Sequence, residues 1–528
     1  MQFCHCCGAS PAAALRTQLD GSLSRSAMAL APGRAALRAL TAATMQTTSS
    51  PQSDTRWQQA PLLLGAAIAG LAVLAGALLG YAGPLVTLAV FGTLVLVLWA
   101  LASLEVALCA VLAIITLLPF GTLPFKFVLT LTLLDVALAG ALFVYLCQWM
   151  AGYRRHLLVT PAHAPLLAFA MVCIVAFISA LTHTAFTPNL ARRFVEFLLS
   201  VFFAVLVVEH TRTLRELNRL LRVLLLLGSA TAGVALVLYL LPPAVSERGL
   251  NSLGRLGYPT GSVLRYVEDD SENAQRAIGT AVDPNALGGM LAVLGALAAA
   301  QLAAARPLAG RRWPAYLLLA LIATTLLLTF SRAAMASLLI AFLGIALLQQ
   351  RRLLWLLALC AGLVLLLPQA QAYVLHFGAG LRGADLATQM RFGEYKDALE
   401  LIGRYPFLGV GFGGAPDVDL YLGVSSAYLL MAEQTGLLGL AAFALVLATT
   451  LGWGASHARN ALRSAALAPA WLGAHAALVA ALVISIFDHY FVHLEFHPLQ
   501  TLFWLVLGLA LAATRLASLP EGHAALSA

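Results

Sequence analysis

Six arginines have positions suited to binding phosphate. They lie at the ends of long apolar segments or in the long connections between them: Arg192, Arg193, Arg276, Arg332, Arg391 and Arg404. A guanidinium stays ionised, and its planar fork matches phosphate oxygens. Because an arginine close to a bilayer is costly unless paired, we expect these side chains to bind an anionic substrate. The alternative is pairing with acids such as Asp283 or Glu433.

Proton transfer has three candidate residues. Asp488 and His489 are adjacent, and a carboxylate beside an imidazole favours proton uptake by the ring. Glu433 lies about eight residues into an apolar segment, where an unpaired carboxylate suggests function. The alternative for Glu433 is a structural pair with Arg332 or a hydrogen bond between packed helices.

Three histidines near the C-terminal end recur at every fourth position. His489, His493 and His497 would share one face of a helix, with Asp488 and Glu495 nearby. A metal site is one interpretation of this spacing. We expect instead a polar patch or solvated loop residues.

The composition shows what kind of chain carries these residues. Of 528 residues, 61% are hydrophobic and 10% are charged, whereas ordinary soluble domains have about 25% charged residues. The mean hydropathy is +0.89. These values exclude a soluble enzyme, a disordered scaffold and a nucleic-acid-binding protein. They predict an all-α, polytopic membrane protein.

The apolar runs predict about fourteen transmembrane helices. They lie at about 61–80, 84–102, 104–120, 127–149, 164–182, 194–209, 219–241, 285–305, 314–330, 333–348, 352–368, 425–450, 469–487 and 498–515. With both termini cytoplasmic, 19 of the 31 Lys and Arg residues fall on the cytoplasmic side. This asymmetry follows the positive-inside rule, so we expect both long connections to face outward.

The runs also divide the chain into regions. We predict a disordered cytoplasmic tail over 1–60 and seven transmembrane helices over 61–241, followed by an outer loop at 242–284. Helices eight to eleven then occupy 285–368, a large outer loop spans 369–424, and the last three helices lie in 425–515. Within the large loop, residues 388–403 are amphipathic, with Phe392, Tyr395, Leu399 and Ile402 on one side. This stretch is either a helix on the outer membrane surface or a loop helix packed on the bundle.

Ordered segments within this frame carry a family resemblance. They read RAIGTAVDPNALGGMLAVL (276–294), TFSRAAMASLL (329–339), and RFGEYKDALELIGRYPFLGVGFGG (391–414) followed by AYLLMAEQTGLLGLAAF (427–443). Over about 276–445 the chain resembles the O-antigen ligase and O-antigen polymerase family, with a weaker similarity at 486–508.

The resemblance implies a metal-independent membrane glycosyltransferase of the bacterial cytoplasmic membrane that needs no cofactor. The implied donor is a glycan on undecaprenyl diphosphate, within the membrane lipid. The implied acceptor is another glycan, lipid A–core or a protein hydroxyl. The six arginines would then bind the donor diphosphate, and no nucleic acid is a partner.

One departure from the family pattern affects the catalytic base. Many ligases carry a His-Asn pair at the start of the helix after the large loop, where this chain has Ser425 and Ser426. The base is then the Asp488–His489 pair or Glu433, or none is needed because diphosphate is a good leaving group. The alternative functions are a flippase for lipid-linked sugars and a non-catalytic assembly subunit.

Overall fold

A computed structural model describes residues 92–123, 129–154, 156–366, 386–414 and 423–519, with isolated positions between 73 and 87. Residue contacts divide the chain into two units, 1–92 and 93–528, and nearly all described residues belong to the second. That unit is mostly helical, as the composition predicts. The predicted tail over 1–60 lies outside the described residues.

The described helices are numbered here in chain order. They are α1 (Gly92–Ala102), α2 (Leu104–Leu117), α3 (Leu133–Met150), α4 (His163–Ala180), α5 (Pro188–His210), α6 (Leu214–Leu240), α7 (Pro243–Ser252), α8 (Pro284–Ala303), α9 (Trp313–Leu328), α10 (Arg332–Leu348), α11 (Leu353–Leu366), α12 (Leu386–Arg404), α13 (Ala427–Arg463), α14 (Ala468–Phe487) and α15 (His497–Ser518).

Seven described helices have the length and apolar composition to cross a membrane, namely α3, α4, α6, α8, α13, α14 and α15. Four shorter apolar helices are α1, α2, α9 and α10. Each of the twelve apolar runs from 104–120 onward contains a described helix. Most of the first two runs lies outside the described residues, so the total of fourteen spans stays a prediction.

Helix α8 forms the centre of the bundle. The whole apolar window of this helix is buried, and it packs against α9, α10 and α14. Its sequence is rich in Ala and Gly, which lets neighbouring backbones approach closely. A Cβ added at Gly295 would lie only 3.0 Å from Leu338 of α10, which shows how tight this packing is. The two termini of α8 are therefore firmly positioned.

Charged residues gather at the two ends of the bundle. At one end, where α5 and α15 begin, His497 of α15 contacts Glu196 of α5. At the other, where both helices end, Arg515 donates to the carbonyl oxygen of Thr211. We call these the site end and the opposite end. Which end faces the cytoplasm stays a prediction.

The long connections are partly structured. Residues 242–284 contain α7 and a two-stranded antiparallel hairpin, β1 (Arg265–Tyr266) with β2 (Gln275–Arg276). In the second connection, 367–385 and 415–422 lie outside the described residues.

The amphipathic stretch 388–403 is helical, within α12, and α12 packs on α13. Phe392 and Leu399 are 61% and 62% exposed, whereas Ala398 and Leu401 are fully buried and Tyr395 packs against the core. The helix therefore packs on the bundle with part of its apolar side facing outward. Whether that part contacts the membrane surface stays a prediction.

Candidate active site

An ion pair joins α12 to the end of α14. The Nη2 atom of Arg391 lies 3.1 Å from Oδ1 of Asp488, which follows the last residue of α14. The Arg391 side chain is 28% exposed and that of Asp488 only 6%. Burial raises the pKa of Asp488 to about 7, and the positive charge of Arg391 partly offsets this effect. Asp488 is therefore poised to gain or lose a proton near neutral pH.

Arg276 lies close to this pair and holds two segments together. Its Nε donates to the carbonyl oxygen of Thr329 (2.8 Å), and its Nη2 donates to Oδ1 of Asn285 (2.7 Å). The charge of Arg276 also lowers the pKa of Asp488. Two of the predicted phosphate-binding arginines, Arg276 and Arg391, thus lie around one buried carboxyl group.

The start of α8 forms part of the same cluster. Asp283 caps the helix by accepting from the backbone amides of Asn285 (2.8 Å) and Ala286 (2.9 Å). An Asp followed by Pro at the first helical position favours such a cap. Burial raises the pKa of the Tyr490 hydroxyl, and the negative charge of Asp283 raises it further. Tyr490 was not among the candidates predicted from the sequence, although it lies two positions after Asp488.

Two residues next to this cluster have unusual backbone conformations. Val282 has φ 65° and ψ −36°, and Phe330 has φ 55°. A positive φ is rare for a β-branched residue such as valine, and strain of this kind concentrates at functional sites. Val282 precedes the cap residue Asp283, and Phe330 follows the Arg276 acceptor Thr329. Both strained positions therefore border the segments that Arg276 joins.

Arg332 begins α10, three residues after Thr329. The start of α10 is fixed against α8, because a Cβ on Gly288 would lie 2.9 Å from Cβ of Ser331. The backbone of Arg332 therefore belongs to the same end of the bundle as Arg276. Its role in donor binding stays a prediction.

Glu433 is buried beneath a glycine-rich turn. The amide of Val410 donates to the Glu433 carbonyl oxygen (2.7 Å), and the amide of Leu437 donates to that of Pro406 (2.7 Å). Gly409 has φ 64°, and a Cβ there would lie 2.2 Å from the Glu433 carbonyl oxygen. Gly409 therefore allows the turn to pack closely on the backbone of α13. The Glu433 residue is 1% exposed.

The position where many ligases have histidine is contacted by α12. Oε2 of Glu394 accepts a hydrogen bond from the Ser425 amide (2.9 Å), and the hydroxyl of Tyr395 donates to the Ser425 carbonyl oxygen (3.4 Å). Glu394 lies three residues after Arg391, on the same face of α12. Glu394 was not among the candidates predicted from the sequence, although its position three residues after Arg391 places both side chains on one face of a helix.

Two other predicted arginines form ion pairs that do not involve Asp488. Arg192 is buried between Asp135 (2.7 Å) and Glu196 (3.0 Å), and Glu196 also contacts His497. This arrangement ties α3, α5 and α15 together. Arg404, at the end of α12, forms an exposed ion pair with Glu400.

Arg193 lies at the edge of a polar cavity at the site end. It forms an ion pair with Glu495 (2.9 Å). The cavity has a volume of about 390 Å³ and lies between the α4–α5 connection, the glycine-rich turn, α13 and residues 493–495. Its polar lining includes Asn189, Gln434 and His493. Among the described residues, Oε1 of Gln434 is buried without a hydrogen-bond partner.

The histidines do not share a helical face. Residues 488–496 form turns rather than a helix. The rings of His489 and His493 lie 4.8 Å apart and are tilted by 58°, while His497 contacts Glu196. Within the described ranges, no group of three or more His, Cys, Asp or Glu residues is arranged to hold a metal ion. Burial lowers the pKa of His489 to about 3, so its ring is neutral at pH 7.

Part of the chain matches a known protein family. Residues 315–444 match the family model described as O-antigen ligase, and no curated protein matches the chain. The match ends within one residue of the predicted limit at 445 but begins later than 276. It contains Arg332, Arg391, Arg404 and Glu433, whereas Arg276, Asp488 and His489 lie outside it.

The matched family supports membrane glycan transfer in surface polysaccharide biosynthesis. Together with the apolar helices, the match suggests a bacterial inner membrane protein. Residues 315–444 therefore match the O-antigen ligase domain that the motifs predict.

Proposed function

We propose that this protein transfers a glycan from a polyprenyl diphosphate to an acceptor hydroxyl at the site end of the bundle. The observation that carries the proposal is the convergence of Arg276, Arg391 and Asp488. The three residues come from distant parts of the chain, yet both arginines lie beside the buried carboxyl group of Asp488. Two guanidiniums beside one proton-accepting group suit displacement of a diphosphate.

The arginines would bind the leaving group. A diphosphate has several charged oxygens, and each guanidinium can donate two parallel hydrogen bonds to such a group. Arg391 is partly exposed, so an incoming phosphate can compete with Asp488 for it. Stabilisation of the charge that develops on the leaving oxygen accelerates the reaction.

Asp488 would act as the base. When the diphosphate draws Arg391 away, the buried Asp488 carboxylate loses its counter-ion and gains proton affinity. It then accepts the proton of the attacking hydroxyl. The hydroxyl oxygen bonds to the anomeric carbon while the bond from that carbon to the diphosphate oxygen breaks. Polyprenyl diphosphate leaves with the bonding electrons.

His489 and Glu433 are the other candidates for the base. The neutral His489 ring suits a hydrogen bond to a sugar hydroxyl better than proton uptake, because its pKa of about 3 is far from the working pH. Glu433 lies under the glycine-rich turn, where access to an acceptor requires that turn to open.

The polar cavity is suited to sugar rings. Its volume of about 390 Å³ and its amide and imidazole lining provide donors and acceptors for hydroxyl groups. The His493 ring lies 4.8 Å from His489, so the cavity adjoins the Asp488 segment. We propose that the glycan of the donor or acceptor occupies this cavity.

The experiment is deletion of the gene followed by analysis of surface glycans. Single repeat units left on the acceptor would identify a polymerase, and an unmodified acceptor would identify a ligase. Complementation with the wild-type chain should restore the product, and the variant Arg391→Ala should not. Normal surface glycans in the deletion strain would contradict the proposed function.

A further inference from the structure

A groove at the opposite end of the bundle is separate from the proposed active site. It has a volume of about 460 Å³ and lies between α6, α8, α9 and the connection before α9. Its walls are mostly aliphatic and include Leu225, Leu318 and Leu321. An aliphatic groove of this size suits a hydrocarbon chain.

Two arginines lie at the mouth of this groove. Arg222 of α6 and Arg311 of the connection both line it, and both are exposed. Within the part of the chain that the structure describes, neither guanidinium has a hydrogen bond or an ion pair. The sequence contains no acidic residue between 217 and 246 or between 284 and 384. The mouth is therefore positively charged with no neighbouring acid in these segments.

The connection that carries Arg311 is held in place. Arg312 donates to the carbonyl oxygen of Ala304 from Nε (3.2 Å) and Nη2 (2.9 Å). The amide of Leu308 donates to Oε1 of the buried Gln301 (3.1 Å). These bonds hold the connection against the end of α8, so the backbone of Arg311 has a defined position beside the groove.

Residues on the outer edges of the groove are suited to contact with lipid. Leu226 is 69% exposed, Leu317 is 61% exposed and Trp313 is 58% exposed. Leucines fit the hydrocarbon region, and tryptophan prefers the headgroup level. A basic pocket between transmembrane helices is a binding site for anionic headgroups.

We propose that this groove binds one anionic phospholipid. An acyl chain lies along the aliphatic walls, and the phosphate lies between Arg222 and Arg311. The positive charge at the opening of the groove favours an anionic headgroup. The apolar walls favour a lipid over a free phosphate, because a free phosphate would not contact them. The site is independent of the proposed glycan transfer.

The test is native mass spectrometry of the full chain in detergent. After delipidation, phosphatidylglycerol or phosphatidylcholine with identical acyl chains is added back, and bound lipids are counted. We expect one phosphatidylglycerol to bind preferentially. Loss of both arginines should weaken its binding at least tenfold, since each arginine near an anionic lipid contributes about fivefold.

Matched variants separate the headgroup from the groove. Arg222→Gln with Arg311→Gln removes the charges, Leu318→Trp fills the groove, and Arg459→Gln removes an exposed arginine outside it. The first two changes should reduce phosphatidylglycerol binding, and the third should not. Thermal unfolding checks that each variant is folded.

Several results would overturn the proposal. These are equal binding of phosphatidylcholine, full retention of phosphatidylglycerol by the double arginine variant or by Leu318→Trp, and displacement of the lipid by inorganic phosphate. The last result would identify an anion site without a lipid chain.

Discussion

The Nη2 atom of Arg391 lies 3.1 Å from Oδ1 of Asp488, although 97 positions separate the two residues in the chain. The contact connects the matched ligase domain, which ends at 444, to a segment beyond it. A site formed in this way requires α14 as well as α12. Residues on both sides of the domain limit should therefore affect glycan transfer.

Asp488 should control the pH dependence of glycan transfer. Its pKa in the free protein is raised to about 7, and a base must be deprotonated to act, so kcat/KM for the donor should rise with pH below about 7 and level off above it. Asp488→Asn should lower the rate by about 100- to 10,000-fold. It should also remove the acidic limb of the profile, which is the fall in rate at low pH. The measurement is a pH–rate profile of purified protein with lipid-linked donor.

The same profile compares the alternative bases. His489→Ala and Glu433→Gln should keep the acidic limb, whatever their effect on the rate. Loss of the limb in either variant, with the limb intact in Asp488→Asn, would transfer the role of base to that residue.

Asn285 should position Arg276 rather than take part in chemistry. Asn285→Ala removes the 2.7 Å hydrogen bond to Nη2 of Arg276. A hydrogen bond to a charged group is worth about 1.5–3 kcal/mol, so we expect about a tenfold higher KM for the donor and a nearly unchanged kcat. Asn251→Ala is the control, because Asn251 bonds only to the exposed loop at Gly261. Equal effects of the two variants would contradict the assignment.

The glycine-rich turn should depend on the absence of a side chain at position 409. Gly409 has a positive φ, and its Cβ would lie 2.2 Å from a backbone oxygen, so Gly409→Ala should destabilise the fold by about 1–3 kcal/mol or more. Gly403, within α12, has open space at the Cβ position. Thermal unfolding in detergent should show Gly403→Ala at or above the wild-type Tm. A neutral Gly409→Ala would contradict the close packing on Glu433.

Much of the fold could be predicted from the sequence, because membrane helices have a strong local signal. Apolar runs of about 20 residues can satisfy their backbone only as helices, and Asp283-Pro284 marks the start of α8 in the sequence itself. The side of α12 that packs on the bundle could not be predicted, because a helix on a membrane surface and a helix packed on other helices share the same amphipathic pattern.

The site was predictable in part. Arg276, Arg391 and Asp488 were candidates because of their residue types and positions, but their meeting depends on tertiary structure. Arg192 has the same local signal as Arg391, yet it is buried in an ion cluster with Asp135 and Glu196. No sequence pattern distinguishes Arg192 from Arg391, because their environments differ only in which helices pack beside them.

The topology should place 260 on the opposite side of the membrane from 309 and 460. Single cysteines at these positions lie in exposed segments at the site end (260) and at the opposite end (309 and 460). An impermeant thiol reagent added outside intact cells should label 260 only, because the positive-inside rule places the arginine-rich opposite end in the cytoplasm. Labelling of 309 from outside would reverse the predicted orientation.

The most direct measurement is glycan transfer by the purified protein in a bilayer that contains a polyprenyl-diphosphate-linked glycan and an acceptor. The account predicts a new glycosidic bond and released polyprenyl diphosphate. Arg391→Ala should lower the rate by roughly 10- to 150-fold, since charge-assisted contacts to phosphate are worth about 1.5–3 kcal/mol. Arg391→Lys should recover only part of it, and Lys396→Gln on the same helix should keep full activity. Movement of the donor across the bilayer without bond formation, or full activity of folded Arg391→Ala, would contradict the account.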